Sequence, residues 1–142
     1  NINNLFKNRE IAYHQFVNSP LTHYNSVTVS NVDQKYMDKL HEVIINNLSD
    51  HNLNVDTLAD MLSTSKSTLY RKVKGNTGLN INEYIRVCRL KQAAEMLSSQ
   101  KYRINEVADL VGFSSPSYFA TSFQKQFNIS PSNFVKQLRG EE

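Results

Sequence analysis

The stretch GFSSPSYFATSFQKQFNISPSNF, residues 112–134, has the pattern of a tight turn followed by a capped helix. Gly112 suits the left-handed backbone at the end of a preceding helix. Ser114 or Ser115 can cap the next helix, and Pro116 suits its first turn. Apolar residues then recur every fourth position, at Phe119, Phe123 and Phe127. This spacing predicts a helix that buries one aromatic face.

The same order of features occurs earlier in the chain. VDTLADMLSTSKSTLYRKVKGNTGLNINEY, residues 55–84, parallels INEVADLVGFSSPSYFATSFQKQFNISPSNF, residues 104–134. In both, a short helix with a small Ala is followed by a polar break, and a second helix begins at a Ser. Leu58, Leu69 and Val73 of the first copy correspond to Val107, Phe119 and Phe123 of the second. The repeat indicates one unit that occurs twice, and each copy predicts a helix-turn-helix.

The segments around the two copies complete an all-α domain over residues 31–142. Apolar residues at helical spacing predict one helix before the first copy, capped by Ser30 or Asn31, and one long helix that joins the copies rigidly. The predicted parts are a helix at about 33–48, a first helix-turn-helix unit at about 55–78, a connecting helix at about 81–98 and a second unit at about 104–128.

Residues 1–30 form an upstream arm in this interpretation. A stripe of apolar residues indicates a helix within residues 1–17, and Pro20 with many small polar residues favours an extended linker at 18–30. The segment VTV at 27–29 could add one short strand, but a lone strand would have no other strand to pair with. Two roles for the arm helix stay open: it transmits a signal or dimerises, or it is a chain end without a fixed role.

Composition excludes several classes of protein. Cys88 is the single cysteine, so an intramolecular disulfide is impossible, and the four histidines lack the spacing of zinc sites. We expect no metal and no cofactor. There is no nucleophile beside a candidate base and no glycine-rich phosphate loop, so we expect no enzymatic activity. No apolar run approaches the roughly 20 residues that cross a bilayer, which predicts a cytoplasmic location.

The positive charge is concentrated in the middle of the chain. The formal net charge is +3, but residues 65–103 carry nine Lys or Arg against two Asp or Glu, which gives +7 for that segment alone. A basic segment of this kind is typical of proteins that bind nucleic acid.

The basic segment contains KSTLYRKVKG, residues 66–75, in the second helix of the first unit. Leu69 and Val73 must point inward, so the candidate DNA contacts lie on the other face. They are Lys66, Ser67, Thr68, Tyr70, Arg71 and Lys74. Arg71 is the best candidate base contact, because its fork matches guanine O6 and N7. Lys66, Lys72 and Lys74 suit phosphates. A solvated helix face would explain the same charges, but the repeat and the charge distribution favour DNA.

The second unit offers a different set of contacts. Phe119 and Phe123 are predicted to lie in the core, and the candidate DNA contacts are Ser115, Pro116, Ser117, Ala120, Thr121 and Gln124. Hydroxyls and amides can bond phosphates or bases, and the methyl groups of Ala120 and Thr121 can touch a thymine methyl. Lys125 is the single charged residue of 112–134, so we expect weak long-range attraction to DNA from this unit.

These residues resemble a known family. The C-terminal signature of AraC/XylS-type transcription regulators is similar to Gly112-Phe113-Ser114, Ser117-Tyr118-Phe119, Phe123, Ser130-Pro131 and Phe134. The first half of that domain is similar to Ala59, Leu62, Ser65, Leu69, Gly78, Tyr84, Arg89 and Ala93. The resemblance covers about residues 33–139. It implies seven helices, with two helix-turn-helix units in successive major grooves.

The resemblance also implies which residues face the bases. They are Ser67, Tyr70 and Arg71 in the first unit, and Pro116, Ser117, Ala120 and Thr121 in the second. Three positions depart from the family pattern: Asn128 replaces the usual Gly, Gln124 replaces the usual basic residue, and Thr121 stands where some members carry Arg. The last two departures weaken the expected base contacts of the second unit.

The upstream arm resembles the segment that precedes the AraC-type output domain in hybrid two-component regulators of Bacteroides-like bacteria. This resemblance implies a membrane-anchored sensor whose receiver domain, in the same chain, controls a cytoplasmic activator module at glycan-utilisation genes. Its implied partners are double-stranded promoter DNA, the receiver domain and RNA polymerase, with a homodimer formed through the upstream region. The fragment itself is not expected to touch a membrane. The alternative is a helical protein-interaction module that binds a receiver domain or a polymerase subunit instead of DNA.

Overall fold

The computed structural model describes residues 31–140, apart from the side chains of residues 31 and 32. Every regular element in this range is an α-helix. The seven helices are α1 Asn31–Asn46, α2 Val55–Met61, α3 Lys66–Thr77, α4 Ile81–Ser98, α5 Ile104–Leu110, α6 Pro116–Phe127 and α7 Pro131–Leu138. The all-α prediction with a long connecting helix is therefore confirmed. The helix predicted at 1–17, the linker at 18–30 and its VTV segment lie outside the described residues.

Helix α1 begins and ends two residues before the predicted bounds of 33–48. Its end has a local cause, because the side-chain amide of Asn47 donates to the Val43 carbonyl at 2.8 Å. Such a bond offers the backbone an alternative to the helical ladder. Leu48 is still buried as predicted, but it lies in the turn after the helix.

The chain divides into two compact units between Arg89 and Leu90, and each unit has its own core. The first core combines α1, α2 and α3 with the first half of α4. Its most buried side chains include Met37, Leu40, Ile44, Leu58, Leu69, Val73 and Tyr84. The second core combines the rest of α4 with α5, α6 and α7. Its most buried side chains include Leu90, Leu97, Val107, Phe119, Phe123 and Phe134.

The turn between the first two helices of each unit has the same geometry in both copies. Ser63 and Gly112 both adopt positive φ, at 52° and 90°. The next residue then donates its N–H back to the helical Ala, from Thr64 to the Ala59 carbonyl at 3.0 Å and from Phe113 to the Ala108 carbonyl at 2.9 Å. These bonds satisfy carbonyls at the helix end. The turn therefore has the same backbone path in both copies, although Ser occupies the positive-φ position in one and Gly in the other.

The second helix of each unit is fixed at both ends. Ser65 accepts a bond from the Thr68 N–H, and Ser115 accepts one from the Tyr118 N–H, both at 3.1 Å. Gly78 and Asn128 end these helices in the left-handed conformation, with φ of 76° and 61°. Asn is one of the few residues that enter this region readily, so the departure from Gly preserves the helix end.

The aromatic residues of the second unit form an interlocked core, as the spacing predicted. The rings of Phe119 and Phe127 each pack edge-on to Phe123, with centroids 5.7 and 4.7 Å away, and Phe134 of α7 lies at 5.5 Å. Edge-to-face packing of this kind adds to the free energy of apolar burial. It holds α6 in place without help from charged residues.

Arg89 anchors the turn that follows α1. Its side chain is only 7% exposed, and the guanidinium donates to the carbonyls of Leu48 and Asp50, the latter at 3.0 Å. Burial lowers the pKa of this guanidinium, and the charge of Asp50 partly offsets that effect. Arg89, which is one of the residues that match the family pattern, therefore holds the segment between α1 and α2 against α4.

Candidate nucleic-acid interface

The outer face of α3 is a basic surface on a firmly held helix. Leu69 and Val73 are fully buried, as predicted. The residues opposite them are exposed: Lys66, Ser67, Tyr70, Arg71 and Lys74. Tyr70 is 48% exposed in spite of its large apolar ring. We call these five residues, with Thr68, the α3 surface.

Thr68 has a different setting from the rest of the α3 surface. It is half-buried, and its hydroxyl accepts a bond of 2.8 Å from Ser65, whose own oxygen caps the Thr68 N–H. Thr68 is therefore engaged in the helix cap. A role for it in DNA contact stays a prediction.

Both lysines of the α3 surface have intramolecular partners, one at each end of the helix. The ammonium of Lys66 lies 2.9 Å from Asp56, and this hydrogen bond raises the pKa of Lys66. Both side chains are more than half exposed, so water and salt screen the pair. Lys74 donates to the Gly78 carbonyl at 2.9 Å, where a cation suits the negative helix end. Exposed lysines of this kind can exchange such partners for a phosphate.

Lys72, which was predicted to suit a phosphate, is paired with a residue of α1. Its side chain is 20% exposed, and its ammonium lies 2.7 Å from Asp33 of α1. The Tyr36 ring lies beneath it, with the nitrogen 5.1 Å from the centroid. The hydrogen bond from Lys72 lowers the pKa of Asp33, and the Asn76 amide and Arg71 charge add to that effect. Lys72 thus fastens α3 to α1.

The outer face of α6 is exposed but uncharged at the candidate positions. Pro116, Ser117, Thr121 and Gln124 are exposed, and Ala120 is half-buried. Ser115 is half-buried and serves as the helix cap. We call these six residues the α6 surface.

Tyr118 lies next to the α6 surface but was not among the predicted DNA contacts. It is 50% exposed, and its ring rests against Phe113 with centroids 5.5 Å apart. Its position in α6 corresponds to that of Thr68 in α3, a residue already among the candidates. Comparison of the two copies of the repeat would therefore have added Tyr118 to the candidate DNA contacts.

One of the four histidines lies beside the single cysteine. The Nδ1 of His41 is 3.8 Å from the Sγ of Cys88, which is fully buried. Within residues 31–140, no three His, Cys, Asp or Glu side chains are grouped to hold a metal ion. None of the described helices is both long and apolar enough to span a membrane.

Comparison with known proteins gives the same picture as the geometry. A family model described as a helix-turn-helix domain matches residues 58–137. Histidine kinase P4 of Formosa agariphila is 33% identical over 133 residues, which cover 94% of this chain and 10% of that protein. The HTH-type transcriptional activator RhaS of Escherichia coli is 37% identical over 87 residues, which cover 59% of this chain and 31% of that protein.

A solved structure extends the similarity to three dimensions. The DNA-binding domain of AdpA, a global transcriptional factor in complex with a target DNA, has a TM-score of 0.66 and 26% identity. The match covers 72% of this chain and 92% of that domain. This chain spans only part of the full-length relatives. From the matched model, the two capped helix-turn-helix units and these relatives, the chain belongs to the AraC/XylS-type helix-turn-helix family.

Proposed function

We propose that this chain is a sequence-specific double-stranded DNA-binding domain that activates transcription. The observation that carries the proposal is the α3 surface, where Arg71 and two exposed lysines project from a helix anchored by Leu69 and Val73. The AdpA domain, whose structure includes a target DNA, and the activator RhaS support it by similarity.

In this proposal each unit places its second helix in a major groove. Arg71 contacts a guanine through both of its terminal nitrogens, and Tyr70 and Ser67 contact neighbouring bases. Lys66 and Lys74 bind phosphates at the two ends of α3. The α6 surface adds short-range contacts from its hydroxyl, methyl and amide groups. Affinity therefore comes mainly from the first unit.

The direct test is selection of bound sites from a random pool of duplexes, followed by titration of the enriched duplex. We expect an enriched site that binds far more tightly than a random duplex at moderate salt. Binding of the enriched duplex no tighter than the random one would contradict the proposal.

Salt dependence separates this function from the alternative of a helical protein-interaction module. Binding through phosphates weakens steeply as ionic strength rises, whereas an interface with a receiver domain or a polymerase subunit does not. The two titrations use the same protein and differ only in the partner. A partner protein bound tightly in salt that abolishes DNA binding would favour the alternative.

We also propose that the chain is the output module of a phosphorelay protein. Its similarity to Histidine kinase P4 over 94% of its length supports this context. The test uses the full-length protein, with DNA affinity measured before and after phosphorylation of its receiver domain. We expect phosphorylation to raise affinity, and an unchanged affinity would contradict the proposal. Contact with RNA polymerase, dimerisation through the arm and control of glycan-utilisation genes stay predictions.

A further inference from the structure

The two units differ in charge just before their first helices. Helices α2 and α5 both have seven residues, and each position of Ile104–Leu110 lies 49 residues after its counterpart in Val55–Met61. The three residues before α2 are Asn52, Leu53 and Asn54, and the three before α5 are Lys101, Tyr102 and Arg103. We call the latter three the KYR segment. A neutral segment in the first unit thus corresponds to a segment with two cations in the second.

The KYR segment is exposed over its whole length. Tyr102 is 42% exposed, whereas its counterpart Leu53 is buried in the first core. Within residues 31–140, neither Lys101 nor Arg103 forms an ion pair. Both cations are therefore available to an anion from outside the chain.

Hydrogen bonds fix the backbone on both sides of the KYR segment. The Gln100 N–H donates to the Leu97 carbonyl at 3.2 Å, at the end of α4. The Arg103 N–H donates to the Glu106 carboxylate at 3.0 Å, at the start of α5. Glu106 is the one acid in residues 101–106, and this bond holds its carboxylate against the backbone. Because the Arg103 N–H already has a partner, an anion here would be bound by the two cationic side chains.

The first unit indicates where the KYR segment lies relative to α6. The Lys66 ammonium, at the start of α3, lies 2.9 Å from Asp56, in the first turn of α2. The starts of these two helices are therefore adjacent. The turns of both copies have the same backbone geometry, so we expect the start of α5 to lie beside the start of α6 in the same way. The KYR segment then borders the α6 surface.

The position beside the second helix suits contact with phosphates. A helix-turn-helix unit that places its second helix in a major groove lays its first helix across the DNA backbone. Lys and Arg side chains at the start of that first helix can then bind phosphate oxygens. The corresponding segment of the first unit, residues 52–57, has no cation and contains Asp56. The cation at this edge belongs to the second helix, as Lys66, in the first unit, whereas its counterpart in the second unit is the neutral Pro116.

We infer that the KYR segment is a phosphate-binding site of the second unit, in which Lys101 and Arg103 pair with DNA phosphates beside the bases that α6 faces. This inference rests on the proposed function. It gives the second unit an electrostatic contribution that comes from outside α6. The contribution stays smaller than that of the first unit, because the α3 surface has three cations.

The test removes both cations with Lys101→Ala and Arg103→Ala in one variant. We expect binding of the enriched duplex and of a random duplex to weaken by the same factor, about tenfold or more at moderate salt, because phosphate contacts carry no sequence information. The logarithmic salt slope should become shallower by about 0.9 for each lost contact. The charge-retaining variant, Lys101→Arg with Arg103→Lys, should keep the wild-type slope. A slope reduced as much in this variant as in the alanine variant would overturn the inference.

The matched control removes the same two kinds of charge elsewhere in the second unit. Lys136→Ala with Arg139→Ala alters exposed residues in α7 and at its end. We expect its salt slope to stay close to that of the wild type. Equal changes of slope in the control and in the KYR variant would show that net charge alone is responsible, and would overturn the inference.

Single neutral methylphosphonates in the enriched duplex locate the contact. The half-site that Arg71→Ala leaves unaffected is assigned to α6. We expect the wild type to lose affinity when a phosphate beside that half-site is neutralised, and the KYR alanine variant to be indifferent to the same change. Equal sensitivity of both proteins would overturn this inference and leave the proposed function intact. If no sequence were enriched at all, the proposed function would fail and this inference with it.

Discussion

Arg71 is the residue whose side chain best matches a base edge, so its removal should lower specificity at one base pair. We expect Arg71→Ala to weaken binding of the enriched duplex by about 1 to 3 kcal/mol and to relax specificity at one position. Thr121→Ala should cost less, because a methyl contact is weaker than a bidentate one. Titrations of single-base variants of the duplex measure both effects.

A matched control for Arg71→Ala is Lys39→Ala, which removes one positive charge from an exposed residue of α1. We expect it to leave specificity unchanged. If Thr121→Ala cost as much as Arg71→Ala or more, the second unit would be the main source of specificity.

Glycine has opposite effects at two positions near the end of α3. Gly78 has φ of 76°, and a Cβ there would meet nothing within 4 Å. Gly78→Ala should therefore lower the free energy of unfolding through backbone strain alone, by about 1 kcal/mol. A Cβ at Gly75 would also meet nothing within 4 Å, but Gly75 lies inside the helix. Gly75→Ala should therefore raise the free energy of unfolding by about 0.5 to 1 kcal/mol. Denaturant titrations check both, and effects of equal sign would contradict this account.

Arg89 stabilises the first unit because its guanidinium satisfies two backbone carbonyls. Arg89→Met keeps much of the apolar stem but leaves the Leu48 and Asp50 carbonyls without this donor. We expect the free energy of unfolding to fall by about 2 to 3 kcal/mol. Arg86→Met, on the same helix but exposed, is the control and should change it by less than about 0.5 kcal/mol. Similar losses in both variants would contradict a specific role for Arg89.

At the scale of elements, the Lys72–Asp33 pair joins α3 to α1. The variants Lys72→Met and Asp33→Asn remove one charge each with little change of shape. Because the two groups bond to each other, we expect the double variant to lose less stability than the sum of the single variants. Thermal unfolding of the four proteins gives this coupling, and strict additivity would show that the pair contributes nothing.

The same pair predicts a dependence on pH. The Lys72 bond lowers the folded-state pKa of Asp33. The stabilisation is therefore complete above the unfolded Asp pKa of about 3.9 and is lost as pH falls through the lower folded value. The stability difference between wild type and Lys72→Met should shrink over that acidic range. A difference that is constant from neutral to strongly acidic pH would show that the lost ring contact with Tyr36, not the ion pair, causes it.

The helices themselves were predictable from local sequence, whereas the pairs between them were not. Periodicity and the repeat predicted two helices in each unit, and the second helix of each was predicted to begin at a Ser, as it does. The Lys72–Asp33 bond joins residues 39 apart, and the His41–Cys88 contact joins residues 47 apart. No local pattern encodes such pairs, because they depend on how α1 packs. Because the pattern within α3 does not reveal the pair with Asp33, Lys72 was predicted to bind a phosphate like the other two lysines.

At the scale of the whole molecule, the two units divide the charge unequally, and this division can be altered. Thr121→Arg with Gln124→Lys gives α6 the cations that α3 has at the corresponding positions. We expect the double variant to bind all duplexes more tightly at low salt, and the logarithmic salt slope to steepen by about 0.9 for each added phosphate contact.

The control for the added charge places the same two cations elsewhere in the second unit. Asn133→Arg with Gln137→Lys adds equal charge to exposed positions of α7, outside the α6 surface. Long-range attraction alone would steepen the salt slope equally in both variants, and that result would contradict a direct contact of α6 with DNA. A steeper slope for the α6 variant alone would show that α6 lies against the phosphates although its natural sequence has no cation at these two positions. The first unit would then supply most of the electrostatic part of the affinity.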